Sequence, residues 1–377
     1  MVKSLDSMMY NISILNERNS KVNTALSTKE ALEYGSDDSV TYSYILSLQG
    51  DINTYESIED NINLSDPFSS TSDNALQQSK DVTDAIKALL IKANTSTTSN
   101  VEKKIISTQI EDYKSSLFSL ANTNVNGQYV FSGVNTDIPP FTEDSSTGEI
   151  SYQSDNSIKS LNVEKATYTP LGVNGIDAFF YDKETVGASG SLTFSPNEVI
   201  LDENGDQWKL MDPDGDDVYD GLYLNGDTSS TPLAVIDNGD GTYTTTVPAS
   251  SEFTSKESIF DSLNRVIASL KQEDLDGNSI TEDEAKTILN QTQEEMNDAY
   301  ESQNIANSIV GSRQSTIETY SDIVSSKLLN LKTLEEEYAG ADLTALAIES
   351  KALENTYTAL YSTINRMSDL SLVNYLN

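Results

Sequence analysis

The stretch Asp212-Pro213-Asp214-Gly215-Asp216-Asp217-Val218-Tyr219-Asp220 sets carboxylates at alternate positions. That is the spacing by which a loop wraps oxygens around a hard cation such as calcium, so Asp212, Asp214, Asp216 and Asp220 are candidate metal ligands. The stretch lacks a glycine at its sixth place, and Tyr223 stands at the twelfth, where a helix-loop-helix calcium loop has Glu. An acidic turn is the plainer reading. Asp274-Leu275-Asp276-Gly277-Asn278-Ser279-Ile280 opens similarly, with Ser where the turn glycine belongs. Other chemistry is narrowly bounded, because the chain contains no Cys and no His. Thiol nucleophiles, disulfides, the usual zinc sites and a Ser-His-Asp arrangement are excluded. Only carboxylates, Lys, Tyr and hydroxyls remain for acid–base work. A paired-carboxylate enzyme such as a glycoside hydrolase needs two acids set across a cleft with separated pKa values. Among 60 acidic residues some pair always looks suitable, so spacing alone assigns no catalytic residue. The expectation is a protein that is not an enzyme and takes no cofactor.

The 60 acidic residues stand against 23 basic ones, a formal net charge of −37 over 377 residues. Such a surface repels phosphate backbones and anionic headgroups, which argues against nucleic-acid and membrane-surface partners. No apolar run approaches the roughly 20 residues of a membrane helix. The opening MVKSLDSMMYNISILNERNS carries Asp6, Asn11, Asn16 and Glu17, unlike a cleavable secretory signal.

The elements that would position these groups fall into three zones. Residues 1 to 125 hold one proline, Pro67, and only Gly35 and Gly50; Pro is absent again after 252. The centre holds most of the Gly and Pro, so helical ends flank a turn-rich middle. In the C-terminal third, Leu289, Met296, Val310, Ile317, Val324, Leu331 and Tyr338 recur every seven residues, with Gln303 in the one polar place. A sustained seven-residue repeat means helices that coil around one another, here over 281–338, about 85 Å at about 1.5 Å per residue. After Ala339-Gly340, the step resumes in Leu346, Leu353, Leu360 and Met367, with Leu343, Tyr357 and Ile364 between. The N-terminal third carries four stripes. They are Met8-Ile12-Leu15-Val22-Leu26 with Asn19 in the seam; Ile45 to Ile62, ending near Pro67; Val82 to Ala93; and Ile106 to Leu120. The inner stripes read as ordinary packing. The outermost, near 8–26 and 343–376, would leave apolar seams exposed unless they met each other or a neighbouring subunit. In the middle, Tyr129-Val130-Phe131, Leu192-Thr193-Phe194, Leu222-Tyr223-Leu224 and Tyr243 to Val247 are β-rich. Turn signals separate them at Asn126-Gly127, Asn204-Gly205, Asp214-Gly215, Asn225-Gly226 and Asp240-Gly241.

This layout resembles the flagellin superfamily. Ala25-Leu26-Ser27-Thr28 followed by Ser36-Asp37-Asp38 is similar to the signature near the start of flagellins and hook-associated proteins, although Lys29-Glu30-Ala31 departs from it. Leu120-Ala121-Asn122-Thr123, then Asn126-Gly127-Gln128-Tyr129-Val130-Phe131-Ser132-Gly133 and Pro140-Phe141, resembles the flagellar hook-associated protein 3 type. Ala341-Asp342-Leu343 and Ser371-Leu372-Val373-Asn374-Tyr375-Leu376 are similar to that family's closing pattern.

The resemblance implies an α+β fold, elongated, with an antiparallel coiled-coil helical domain formed by both termini and a β-rich domain inserted in the middle. The expected divisions are a 1–35 assembly helix, a 36–139 rod segment, a 140–252 outer domain, a 253–340 rod segment and a 341–377 assembly helix. It also implies a structural subunit at the junction of hook and filament, polymerising through Met8, Ile12, Leu15, Leu360, Ile364, Met367, Leu372 and Leu376. Implied partners are further copies in a homo-oligomeric ring, a hook-associated protein 1 type neighbour, flagellin on the filament side and an export chaperone for the C-terminal helix. Localisation would be extracellular, after flagellar export without a cleaved signal. A flagellin-type filament subunit and a calcium-binding extracellular module are the alternatives.

Overall fold

The computed structural model describes residues 2–32, 34–36, 38–95, 98–144, 147–215 and 218–376, with their side chains except at 2–6, 8 and 367–376. The helices are α1 (Val2–Thr28), α2 (Ser39–Ala93), α3 (Asn100–Ala121), α4 (Gly175–Phe179), α5 (Ile259–Leu270), α6 (Glu282–Ala339) and α7 (Leu343–Leu376). The chain forms two compact units: Met1–Asp60 with Ser321–Asn377, and Asn61–Tyr320.

In the first unit, helix starts are fixed by aspartates. Asp38 Oδ1 accepts from the amides of Val40 and Thr41, both at 3.1 Å, to open α2. Asp342 Oδ1 accepts from Thr344 and Ala345, both at 2.9 Å, to open α7. Each such cap contributes about 1 kcal/mol. Helices α1 and α7 run antiparallel from a short bridge, in which Ala31 N donates to Ala339 O (2.7 Å) and Ala341 N to Lys29 O (3.0 Å). A side chain at Gly340 would strike the Glu336 carbonyl, so the break between α6 and α7 requires glycine. Ile45, Leu48, Ile52 and Ile58 of α2 and Val324 and Leu328 of α6 are buried here. Across them Lys332 pairs with Glu56 (2.6 Å), and Ser325 donates to Glu59 (2.7 Å).

In the second unit, α2 and α6 lie antiparallel. Asn307 meets Asp73 (2.8 Å), Lys80 meets Asn304 (2.9 Å) and Asn94 meets Asn290 (2.6 Å). The seven-step residues Leu289, Met296, Val310 and Ile317 are buried, and so is Gln303, whose amide oxygen lies 3.0 Å from the Thr83 hydroxyl. One expectation fails. Helix α2 does not end near Pro67 but continues through it to Ala93. A mid-helix proline costs about 3 kcal/mol. Burial of Ile62, Phe68 and Leu76 along one face offsets that cost, and Ser65 Oγ returns a hydrogen bond to Ile62 O (2.7 Å).

The same unit holds the strands β1 (Asn124–Val125), β2 (Gln128–Tyr129), β3 (Phe141–Glu143), β4 (Ile150–Tyr152), β5 (Ser160–Glu164), β6 (Thr167–Pro170) and β7 (Phe180–Val186). They continue with β8 (Ser191–Phe194), β9 (Val199–Asp202), β10 (Gln207–Met211), β11 (Gly221–Leu224), β12 (Val235–Asp237), β13 (Tyr243–Thr246) and β14 (Phe253–Ser258). An antiparallel five-stranded sheet, ordered β11-β10-β9-β14-β7, shares one core with the three-stranded β12-β13-β8. Leu192, Phe194, Ile200, Leu222, Val247 and Phe253 are the buried centre of that core. The sheet extends past the expected boundary at 252, because β14 alternates buried Phe253, Ser255 and Glu257 as a strand does. Helix α3 packs on α5, with Lys114 donating to Asn264 (2.8 Å) and Lys271 to Glu111 (2.5 Å).

Candidate functional site

The apolar stripes of α1 and α7 meet each other. Val22 and Leu353 are buried, while Ile12, Leu15, Leu360 and Ile364 are half-buried. Polar contacts fix the pairing: Arg18 Nε reaches Glu349 (2.5 Å), and the Tyr357 hydroxyl donates to Asn16 Oδ1 (2.7 Å). The side chains of Met8, Met367, Leu372 and Leu376 lie outside the described residues. Other apolar groups on the same two helices stay in water, including Met9, Tyr10 (69% exposed), Ile14, Ile348 (68%) and Tyr361. The seven-residue step does not select them, so reading for periodicity passes over them. Within the chain the pair buries only Val22 and Leu353 among its described apolar side chains, so it draws little stabilisation from its own seam.

A second constellation sits where α3 gives way to strands. Asn126 (φ 53) and Gly127 (φ 82) form the tight turn between β1 and β2 that Asn-Gly announces. Only Tyr129 of the expected Tyr129-Val130-Phe131 strand stays in a ladder; Val130 and Phe131 turn inward and are fully buried. Phe131 meets Phe179 edge-on at 5.2 Å, and Phe141 meets Phe179, Phe260 and Tyr152 at 5.5, 5.4 and 5.1 Å. Asn122 clamps this cluster by taking both backbone groups of Phe141, accepting from N (3.0 Å) and donating to O (2.9 Å). Gly133, at φ 62, sits against the Ser157 carbonyl where no Cβ fits. The motif residues are therefore structural, shaping the exit from the helices.

Beside this cluster lies a buried charge network that spacing did not reveal. Arg265 pairs with Glu257 and with Glu295 (2.8 Å), while Lys183 holds Glu198 (2.6 Å) and Glu257 (3.2 Å). These carboxylates raise the Arg265 pKa against the opposing effect of burial. Burial first, then Glu257, Glu149 and Glu198, push the Asp261 carboxyl up to about 7. Glu198, Asp261 and Glu149 line a cleft of about 280 Å³ with Gln207, Trp208 and Tyr152.

At the acidic loop, the carboxylate oxygens of Asp212, Asp214 and Asp220 come within 4.8 Å of one another. Asp216 lies outside the described residues. Gly215 N donates to Asp212 Oδ1 (2.8 Å), three residues earlier in the loop between β10 and β11. Asp274 is occupied likewise, accepting from the amide (2.7 Å) and side chain (2.9 Å) of Asn278, which holds its pKa low.

Comparison with known proteins bears on the whole arrangement. Residues 4–136 match the bacterial flagellin N-terminal helical region. A structure of FlgL from Xanthomonas campestris is 17% identical at a TM-score of 0.52, over 77% of this chain and 99% of that one. Flagellar hook-associated protein 3 from Legionella pneumophila is 17% identical at a TM-score of 0.53, over 78% and 98%. The chain has the fold of a flagellar hook-associated protein. A putative flagellar hook-associated protein from Vibrio parahaemolyticus shares the same fold at 11% identity and a TM-score of 0.53, over 81% and 100%. No curated protein matches the chain. In this chain the long helices come from the two ends of the sequence and the strands from its middle, which agrees with the α+β arrangement expected from the sequence. No described helix is long and apolar enough to cross a membrane.

Proposed function

We propose that the chain is a structural subunit of the bacterial flagellum, forming the junction between hook and filament and acting without catalysis. The observation that carries this reading is the pairing of α1 with α7, thinly buried and still bearing exposed apolar residues, in a chain whose N-terminal region matches that of flagellin. In this reading the pair is the polymerising element. Assembly would run through Met8, Ile12, Leu15, Leu360, Ile364, Met367, Leu372 and Leu376, with neighbouring copies in a ring burying them. Hook-associated protein 1 type neighbours would contact the chain on the hook side and flagellin on the filament side. An export chaperone would shield α7 before passage through the flagellar secretion apparatus to the cell exterior. The residues from 140 to 252 would face outward.

The experiment is removal of the chain from a flagellated cell. Hooks without filaments, and unassembled flagellin shed into the medium, are expected; filaments of normal length would overturn the reading. The flagellin alternative is separated by the purified chain alone, which as a filament subunit would polymerise into long tubes without any other protein.

A further inference from the structure

We propose that Asn126 is a self-modification site, at which the Gly127 amide closes a cyclic imide on the Asn126 side chain and hydrolysis leaves aspartate or isoaspartate. The site lies in the second unit and stands apart from the junction reading. Glycine after asparagine favours this reaction, because no Cβ shields the attacking nitrogen or restricts its peptide. The chain has five such pairs, beginning at Asn126, Asn174, Asn204, Asn225 and Asn238. What separates them is whether the reacting groups are held.

At four of them they are. Asn174 is fully buried; its side chain donates to Asn156 Oδ1 (2.8 Å) and accepts from Asp177 N (2.8 Å), and Gly175 N donates to the Tyr152 hydroxyl (3.3 Å). Gly205 N donates to Asp202 O (2.9 Å), while Asp202 Oδ1 accepts from Asn204 N (2.9 Å). The Asn238 side chain donates to the hydroxyls of Thr242 (2.9 Å) and Thr244 (3.0 Å), and Gly239 N donates to Asp237 Oδ1 (2.8 Å). Gly226 N donates to Tyr223 O (3.2 Å), in a turn that closes the four paired positions of β10 and β11. Asn126 and Gly127 differ. Both are exposed, and among the described residues neither the Asn126 side chain nor the Gly127 amide has a hydrogen-bond partner. The space beside Gly127 is open. Their turn closes only two paired positions, Asn124 with Tyr129 and Val125 with Gln128, so the peptide rotation that carries the nitrogen to Cγ disturbs little pairing.

The atoms balance with solvent water as the only co-reactant. The Gly127 nitrogen bonds to Asn126 Cγ, the Cγ–Nδ2 bond breaks, and ammonia leaves with the proton from the Gly127 amide. Water then opens the imide, at Cγ to give aspartate or at the main-chain carbonyl to give isoaspartate. Either product puts a carboxylate where a neutral amide stood, and isoaspartate adds a main-chain atom to a two-residue turn.

The test incubates the purified full chain in heavy-oxygen water, both folded and in urea, and follows the five peptides by mass spectrometry. A mildly alkaline buffer favours the attacking amide anion. In the folded chain Asn126 should take up the label roughly tenfold faster than any of the other four, since each of those must first give up a hydrogen bond. In urea, where those bonds are gone, the five rates should converge. A comparable rate at any other pair in the folded chain, an Asn126 that stays amidated as long as the rest, or a preference for Asn126 that persists undiminished in urea would each overturn the proposal.

Discussion

The helix pair α1–α7 and the β-rich second unit treat their apolar side chains differently. Around Phe141, four aromatic rings lie within 6.4 Å centroid to centroid, and Phe131, Phe179 and Phe260 are almost wholly out of water. Along α1 and α7, only Val22 and Leu353 among the described side chains reach that state, and Tyr10 and Ile348 are more than two-thirds exposed. Burial of apolar surface is the main term against conformational entropy. The second unit therefore has what it needs to fold by itself, whereas the terminal pair draws much less on its own seam. A difference of this kind is what coupled folding and assembly requires: one region stable in the free chain, another completed by neighbours.

The contrast can be broken most sharply by truncation. Phe260→Ala should destabilise the second unit by about 3–5 kcal/mol, read as a fall in the urea midpoint. Leu353→Ala should change that midpoint little and instead reduce incorporation into assembled flagella. If Leu353→Ala unfolds the monomer as severely as Phe260→Ala, the two regions are not different in kind. Gly133→Ala comes next, at about 2–3 kcal/mol, because a side chain there meets both an unfavourable φ and the Ser157 carbonyl. Recovery of parental stability in that variant would mean the turn after Phe131 is pliable.

A smaller effect concerns pH. Burial first, then Glu257, Glu149 and Glu198 against the opposing Arg265, push the Asp261 carboxyl up to about 7 from an ordinary 3.8. The protonated form is thus favoured by folding. Its contribution is present in full below about pH 3.8 and is lost as pH rises through about 7. Asp261→Asn cannot ionise, so at pH 8 it should be more stable than the parent by about 1–2 kcal/mol, a value reduced for partial exposure. The gain should vanish by about pH 4; a gain independent of pH would place its cause elsewhere. Smallest of all, Gln303→Leu should stabilise the α2–α6 seam by about 1 kcal/mol, since the Thr83 hydroxyl keeps Ser79 O as acceptor (2.9 Å). A loss of similar size would show that the amide fixes the register.

Much of this contrast was legible in the sequence. The seven-residue step located α6 to within a residue at each end, Glu282–Ala339, and included Gln303, which is buried in the seam as the repeat requires. The Asn126-Gly127 turn and the break at Gly340 followed from backbone freedom alone. The continuation of α2 past Pro67 was hidden because Ser65, Ser69, Ser72 and Ser79 share its buried positions there with Phe68, Ala75 and Leu76, and so interrupt the apolar period. Ser72 and Ser79 satisfy themselves by bonding to the carbonyls of Phe68 and Ala75 at 2.9 and 2.8 Å. Sheet order was hidden for another reason: pairings such as Thr193 with Thr244 join distant residues without a local signal. The cleft with Glu198 and Asp261 depends on the same distant pairings. The helix-capping roles of Asp38 and Asp342, by contrast, belong to motifs that stood in plain view.

The most direct test of the contrast is amide hydrogen exchange on the free chain and on the assembled flagellum. In the free chain, residues 9–28 and 343–366 should exchange fast while α3, α5 and the five-stranded sheet stay protected, and assembly should protect the terminal helices. Equal protection of α1 and α7 in both states would contradict the coupling of folding to assembly and make the helix pair a self-sufficient part of the monomer.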